Sequence, residues 1–454
     1  MIVKFLSIAL LVTIFVTASD PYFGTELSWR PIPKTEKGDV IERSWMSTDA
    51  FKYYLLDKDD RVSDVFKVTP YYYPNVNFWF LIYTQFESNS VVIHDKTNLS
   101  LIYKVLDFSS LHEKKLSKNT LYVLQQKLSE EKLNSLKEDL ETLSKEPYSL
   151  SPSAKKIYRI LKHANIDLPI SKPDRSIFFT KLKNNLRTQT GQKNFIRDGV
   201  IRSLPYQSFL SKYFTNRKLP KELLAIPFLE SSFNPKAHSR VNALGVWQFM
   251  PLIASYYVPK RSNSTDYRSN VGVSSLAAGF LLSENFQIMK SWDMAVTAYN
   301  SGTKHLLKTK RELASKKVNL EAIIKHSDSQ HFGFASKNFY SEFLALAHTL
   351  AYREEVFDGL HKHDRSDVDN ELKFYLTKCA VKLPRELNDD LMDDVHFHNH
   401  HILDLQTQLP RGFILTAKSL LPKNKFFQIS YNDLIKLKPK DWGKLVQRQS
   451  CSTR

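Results

Sequence analysis

Residues 221–251 read KELLAIPFLESSFNPKAHSRVNALGVWQFMP, and this stretch constrains the fold more than any other. Leu223, Leu224, Ile226, Phe228 and Leu229 recur at helical spacing and predict one buried face. The pattern ends on a carboxylate, Glu230. Pro220 suits the first turn of this helix, with Asn216 as a cap slightly upstream. Pro227 removes a backbone hydrogen bond and predicts a bend. On position alone Glu230 is an ordinary solvated side chain, because glutamates are mostly exposed.

Downstream come Ser239, the block Gly245-Val246-Trp247-Gln248-Phe249-Met250-Pro251 and, closing a later helical segment, Ala298-Tyr299-Asn300-Ser301-Gly302. In this order and at these distances, E-S-x-x-N-P, GxWQxMP and AYNSG resemble the lytic transglycosylase domain of the goose-lysozyme-like superfamily. Within it, the chain looks like the membrane-bound lytic murein transglycosylase D type. The resemblance implies a mainly α chain with a lysozyme-like helical catalytic domain at 186–357. A mixed α/β N-terminal accessory region at 19–185 would precede it, and a small C-terminal module at 367–454 would follow.

The resemblance also implies roles. Ser231 would help hold Glu230, and Ser239 would contact the sugar beside the reacting ring. Gln248 and Met250 would line the subsite near the acid. Tyr299 and Asn300 would face Glu230 across the cleft, the tyrosine positioning the acetamido group. Tyr340, in a segment resembling the closing helix of the domain, would reach the cleft floor. Trp247 and Met250 also fit plain core packing, and Ser231 a simple helix-terminus hydrogen bond. Many relatives carry small residues where this chain has Asn242 and Leu244, which predicts altered loop packing without loss of activity.

Protonating a glycosidic oxygen at neutral pH needs a carboxyl group whose pKa is raised by an apolar setting. Glu230 follows Pro227-Phe228-Leu229, so partial burial is expected. Glycosidases ordinarily pair two carboxylates across the bond. The motif-bearing stretches supply none beyond Glu230, and Asp266 is the nearest candidate downstream. In the family resembled, one Glu acts as acid and then as base. The substrate's N-acetyl group stabilises the positive charge, and its C6 hydroxyl replaces water. The implied activity is non-hydrolytic cleavage of the MurNAc-β-1,4-GlcNAc bond of peptidoglycan, leaving 1,6-anhydro ends, with no metal and no cofactor. A lysozyme-type hydrolase and a non-catalytic wall-binding protein stay open beside it. The intact Glu, Gln, Tyr and Asn set argues against the latter.

With 454 residues the chain exceeds a typical single core, and 12% aromatic residues exclude wholesale disorder. The net charge of +18 favours anionic partners. Peptidoglycan glycan strands fit, as does peripheral contact of the basic surface with a membrane or anionic wall polymer. Without a zinc finger, an RNA-recognition signature or an arginine-rich recognition helix, nucleic acid is not expected. Residues 1–18 read as a secretory signal, with Lys4 before a short apolar run and Ala18 at its end. The run is shorter than the roughly 20 residues of a membrane span, and no neighbouring cysteine offers a lipid anchor. A periplasmic, envelope-associated location follows, with an uncleaved anchor as the alternative. Cys379 and Cys451 could pair in an oxidising compartment.

Elsewhere, helix and strand both fit residues 76–86, and a strand pair is expected near 91–93 and 99–105. His94-Asp95 reads as a turn and not a catalytic dyad. A leucine stripe over 111–143 predicts an amphipathic helix, and helical texture resumes over 154–164. Residues 187–214 resemble the leading helices of the family's catalytic domain. Residues 399–415 resemble the worn end of a LysM-like wall-binding unit. His396, His398, His400 and His401 read as an exposed histidine-rich turn in preference to a metal site, and 423–454 as a basic tail.

Overall fold

The computed structural model describes residues 40–43, 51–260, 265–313, 318–327, 332–357, 359–360, 371–402, 404–447 and 449–450. The signal at 1–18 and Cys451 lie outside the described residues. Strand β1 (Ile41–Arg43) and helix α1 (Lys52–Leu55) come first. Residues 76–86 resolve as a helix, α2 (Tyr73–Thr84), with Pro74 in its first turn, where a missing N–H costs nothing. From Phe78 to Tyr83 it is apolar on every face because it is buried on every face.

A hairpin of β2 (Ser90–Asp95) and β3 (Ile102–Asp107) follows. Asp95 closes its loop, its Oδ1 accepting the N–H groups of Thr97 at 2.7 Å and Asn98 at 2.9 Å. His94 lies inside β2, 4.5 Å from the Phe78 ring, and burial pushes its pKa down to about 4, so it is neutral packing. After α3 (Ser109–His112), three helices stack: α4 (Lys118–Lys145), α5 (Pro152–His163) and α6 (Lys172–Asn185). Ser117, Ser151 and Ser171 cap them, each accepting a backbone N–H.

Residues from Arg187 do not begin as helix. Leu186–Thr190 forms strand β4, pairing antiparallel with β2 and completing a sheet of order β1-β3-β2-β4. Without it β2 would be an open edge. Both faces of the sheet are covered, which hides the alternation expected of its strands. Val92 and Val105 enter the main core, whereas Val91, Ile93, Tyr103 and Leu106 enter a second core with Leu140, Ile157 and Phe179.

The central helical body comprises α7 (Lys193–Ser203), α8 (Gln207–Asn216), α9 (Ile226–Ser231), α10 (Pro251–Ala254) and α11 (Val271–Met289). It continues with α12 (Trp292–Ser301), α13 (Thr303–Glu312), α14 (Leu320–His326), α15 (Phe334–Ala351) and α16 (Arg353–Val356). The bend expected at Pro227 does not occur. A 3-10 segment at Lys221–Ala225 precedes α9, so Pro227 falls in the first turn of a new helix and forfeits no hydrogen bond. Helix α12 packs between α11 and α15, while α9 and α2 both pack on α15.

The last elements are β5 (Lys373–Thr377), α17 (Leu383–Glu386), α18 (Asp389–His398), β6 (Ile414–Ala417), β7 (Phe426–Gln428) and α19 (Tyr431–Lys436). Their sheet has the order β6-β5-β7. The stretch from Lys423 is not a free tail over its described residues, because Trp442 is fully buried and meets Phe374 edge-on at 5.7 Å. The histidine segment is exposed only in part. His396 is exposed and His400 half-buried, but His398 and His401 are buried, one 3.4 Å from Asp394 and the other 4.6 Å from the Tyr267 ring, because the helical body covers them. Among the described residues no cluster of His, Cys, Asp and Glu could hold a metal, and no helix is long and apolar enough to cross a membrane.

Candidate active site

Glu230 occupies the last turn of α9, and the chain leaves that helix at once. Ser232 and Phe233 are both left-handed, with φ of 50° and 56°. Such residues cost about 1–3 kcal/mol each, so their surroundings must hold them. Arg202 of α7 donates from Nη2 to the Ser232 carbonyl at 2.7 Å and from Nε to that of Phe233 at 3.3 Å. The Ser232 and Phe233 N–H groups return to Phe228 and Pro227 carbonyls at 2.8 and 2.9 Å. A Cβ on Gly199 would strike the Ser232 carbonyl, so glycine is what lets α7 approach this turn. The Ser231 hydroxyl lies 2.9 Å from the Val246 carbonyl and accepts the Asn234 N–H at 3.1 Å, tying the helix end to the following loop.

That loop is built on Gly245, whose φ of +79° and closeness to the Arg268 carbonyl leave no room for a side chain. Gln248, itself at φ 45°, donates from Nε2 to the carbonyls of Gly245 at 2.8 Å and Ala237 at 3.0 Å. The Ser239 hydroxyl accepts the Ala243 N–H at 2.8 Å. Buried Arg268 donates from Nη1 to the carbonyls of Asn242 at 2.6 Å and Phe249 at 2.9 Å, and Asp266 pairs with its guanidinium at 2.7 Å. Asp266, the nearest downstream acid in the sequence, is therefore occupied in holding the loop. Trp247 is core, stacked on Phe214 at 6.2 Å with its Nε1 donating to the Ser275 hydroxyl at 2.8 Å. Its carbonyl accepts the Tyr299 hydroxyl at 2.6 Å, which fastens α12 to the loop.

Residues 209–321 match the transglycosylase SLT domain family. The chain carries an SLT domain. Membrane-bound lytic murein transglycosylase D of Escherichia coli strain K12 is 33% identical over 117 residues, covering 26% of this chain and 26% of that protein. The protein of the same name from Escherichia coli O6:H1 matches with the same identity and coverage. The chain thus spans about a quarter of the length of these curated relatives. The matched residues hold Glu230, the Gly245 loop and Tyr299.

Within the SLT domain, Glu230 keeps an opening to solvent although protein atoms crowd it. Burial, and secondarily the Glu342 carboxylate, push its pKa up to about 8. Burial raises the Tyr299 phenol well above its ordinary value, and the charge of Glu230 adds to this, which places the two side chains in mutual range. Met250 is exposed, as are Leu252, Ile253 and Tyr256 after it. Asn300 is exposed, its Oδ1 accepting the Ser336 hydroxyl at 3.0 Å. Tyr340 stands apart, buried in the core against Tyr72 at 5.2 Å and Phe343 at 6.0 Å.

Two residues of Tyr340's own helix further on, the structure adds a group that the motifs do not reveal. Glu342 lies on α15 outside the matched SLT residues. Burial pushes its pKa up to about 8, opposed by the charge of Arg187 on β4 and a hydrogen bond from Tyr83 on α2. Its only sequence signal is a carboxylate directly before the apolar run Phe343-Leu344-Ala345-Leu346-Ala347. An acid that keeps its proton to about pH 8 beside a buried phenol can protonate a leaving oxygen at neutral pH.

Proposed function

We propose that this chain is a lytic transglycosylase that cleaves the MurNAc-β-1,4-GlcNAc bond of peptidoglycan and leaves 1,6-anhydro-MurNAc ends. The observation carrying this reading is the raised pKa of Glu230 at the end of α9, inside residues that match the SLT domain. Glu230 first gives its proton to the glycosidic oxygen. As a carboxylate it then takes the proton of the sugar's C6 hydroxyl, which closes the anhydro ring. Tyr299 and Asn300 hold the acetamido group while positive charge develops. Ser239, Gln248 and Met250 line the neighbouring subsite. Ser231 acts by fixing the helix end. The protein works in the periplasm against glycan strands, and its C-terminal module is a wall-binding unit.

A lysozyme-type hydrolase is the second reading, motivated by Glu342 as a second carboxyl in electrostatic range of Glu230, which would serve as base only in its ionised form. Mass spectrometry of digested peptidoglycan separates the two. Transglycosylase products are lighter by one water than hydrolysis products and have no reducing end. Predominantly reducing fragments would overturn the first reading. Glu230→Gln should lower turnover by about 10²–10⁴-fold with the fold intact, because an amide cannot deliver the proton. Substantial cleavage by the folded variant would remove Glu230 from the mechanism.

A further inference from the structure

We propose that the loops at 147–150 and 168–170, with the outer face of α5, form a docking surface for an anionic lipid bilayer. Ile170 is 92% exposed and Leu150 70% exposed, with Tyr148 beside them. Single exposed aliphatic side chains are ordinary; here they are gathered and held. The Tyr148 hydroxyl donates to the Ile170 carbonyl at 2.6 Å, joining the two loops. Arg175 donates from Nε to the Pro169 carbonyl at 2.6 Å and from Nη1 to that of Pro147 at 3.3 Å, with its guanidinium 4.6 Å from the Tyr148 ring centre. Two loops are thus stapled so that their aliphatic tips stand in water.

Charge completes the surface. Helix α5 buries Ala154, Ile157 and Leu161 and exposes Lys155, Lys156, Arg159 and Lys162. Residues 145–183 carry nine Lys and Arg against three Asp and Glu, a third of the chain's net charge of +18. An apolar tip beside a cationic face matches the acyl boundary and headgroups of an anionic membrane. An anionic glycan would engage the cations but would leave Leu150 and Ile170 without a function. The surface sits on the core of α4–α6 and outside the residues matching the SLT domain, so it stands whether or not the chain cleaves glycan.

The test is vesicle flotation of the full chain with phosphatidylethanolamine/phosphatidylglycerol vesicles, phosphatidylcholine vesicles and lipid-free peptidoglycan. All variants share the apolar N-terminal stretch, so differences between them isolate the surface. Leu150→Ser with Ile170→Ser should weaken binding to the anionic vesicles at least ten-fold. Lys155→Glu with Arg159→Glu should do the same and remove the salt dependence. The parent should bind phosphatidylcholine at least ten-fold more weakly. Circular dichroism checks each fold, and Ile170→Ser alone should give a smaller loss in the same direction. Equal binding by parent and variants overturns the proposal. So does a loss confined to lipid-free peptidoglycan, which would make the surface a glycan site.

Discussion

The C-terminal module and the α4–α6 layer flank one helical body but join it in opposite ways. Among the described residues the module has no core of its own. Phe374, Leu376 and Trp442 belong to the same apolar cluster as Phe209, Trp247 and Val271. The α4–α6 layer closes on its own leucines, and a sheet stands between it and the body. A polar seam reinforces the first junction. Asn270 caps α11 by accepting the Val273 N–H at 2.8 Å, and its Nδ2 lies 3.0 Å from the Thr416 hydroxyl and 3.3 Å from the His398 carbonyl. Position in the chain does not tell a fused flank from a separable one; the destination of its apolar side chains does.

The largest expected effect breaks the fused side. Trp442→Ala should cost about 3–5 kcal/mol, the usual range for a buried aromatic. It should lower the midpoint of the whole helical body in one transition, seen together by tryptophan fluorescence, circular dichroism and loss of the proposed glycan cleavage. Two separated transitions would mean that the module folds independently after all. On the separable side, Leu140→Ala in α4 should cost about 2–5 kcal/mol locally. Hydrogen exchange should rise across α4–α6 while cleavage at 25 °C persists. Increased exchange throughout α11 and α12 would erase the distinction.

This distinction was only partly legible in the sequence. Glu230 and Tyr299 stand out because each lies in a contiguous motif, and local chemistry fixes local structure there. The α4 leucine stripe was equally plain. Pro227 misled, since a proline reads alike inside one bent helix and in the first turn of a second. His398 and His401 looked solvated because their cover, including Tyr267, comes from a distant part of the chain. Glu342 was invisible for the same reason. Its effect on Glu230 exists only once α15 packs against α9.

Asn270→Ala is a milder probe of the fused seam. It removes a cap worth about 1 kcal/mol and leaves buried partners short of a donor, so a loss of about 2 kcal/mol is expected in urea unfolding. A loss below about 0.5 kcal/mol would show that apolar packing alone joins the module. Because Asn270 is away from Glu230, the pH dependence of the remaining cleavage should be that of the parent.

The smallest effect concerns that pH dependence, where the sheet between the α4–α6 layer and the body reaches the site. In the proposed mechanism Glu230 must be protonated to act, so cleavage should fall as pH rises through about 8. The same shift has a stability sign. Its folded pKa exceeds the unfolded carboxylate range, so the stability it contributes is full below that range and is lost as pH rises through about 8. Glu230→Gln should therefore melt above the parent at pH 9 and level with it at pH 4. Glu342→Gln removes a like charge and should move the alkaline fall in cleavage to lower pH. Arg187→Met acts one step further away. Arg187, on the sheet's last strand, favours the charged form of Glu342. Without it Glu342 stays neutral longer, Glu230 feels less negative charge, and the alkaline fall should move the same way by less. A shift with Arg187→Met and none with Asn270→Ala would mean that the intervening sheet, and not the fused seam, is coupled to the acid. No shift with either Glu342→Gln or Arg187→Met would leave burial alone as the cause of Glu230's raised pKa.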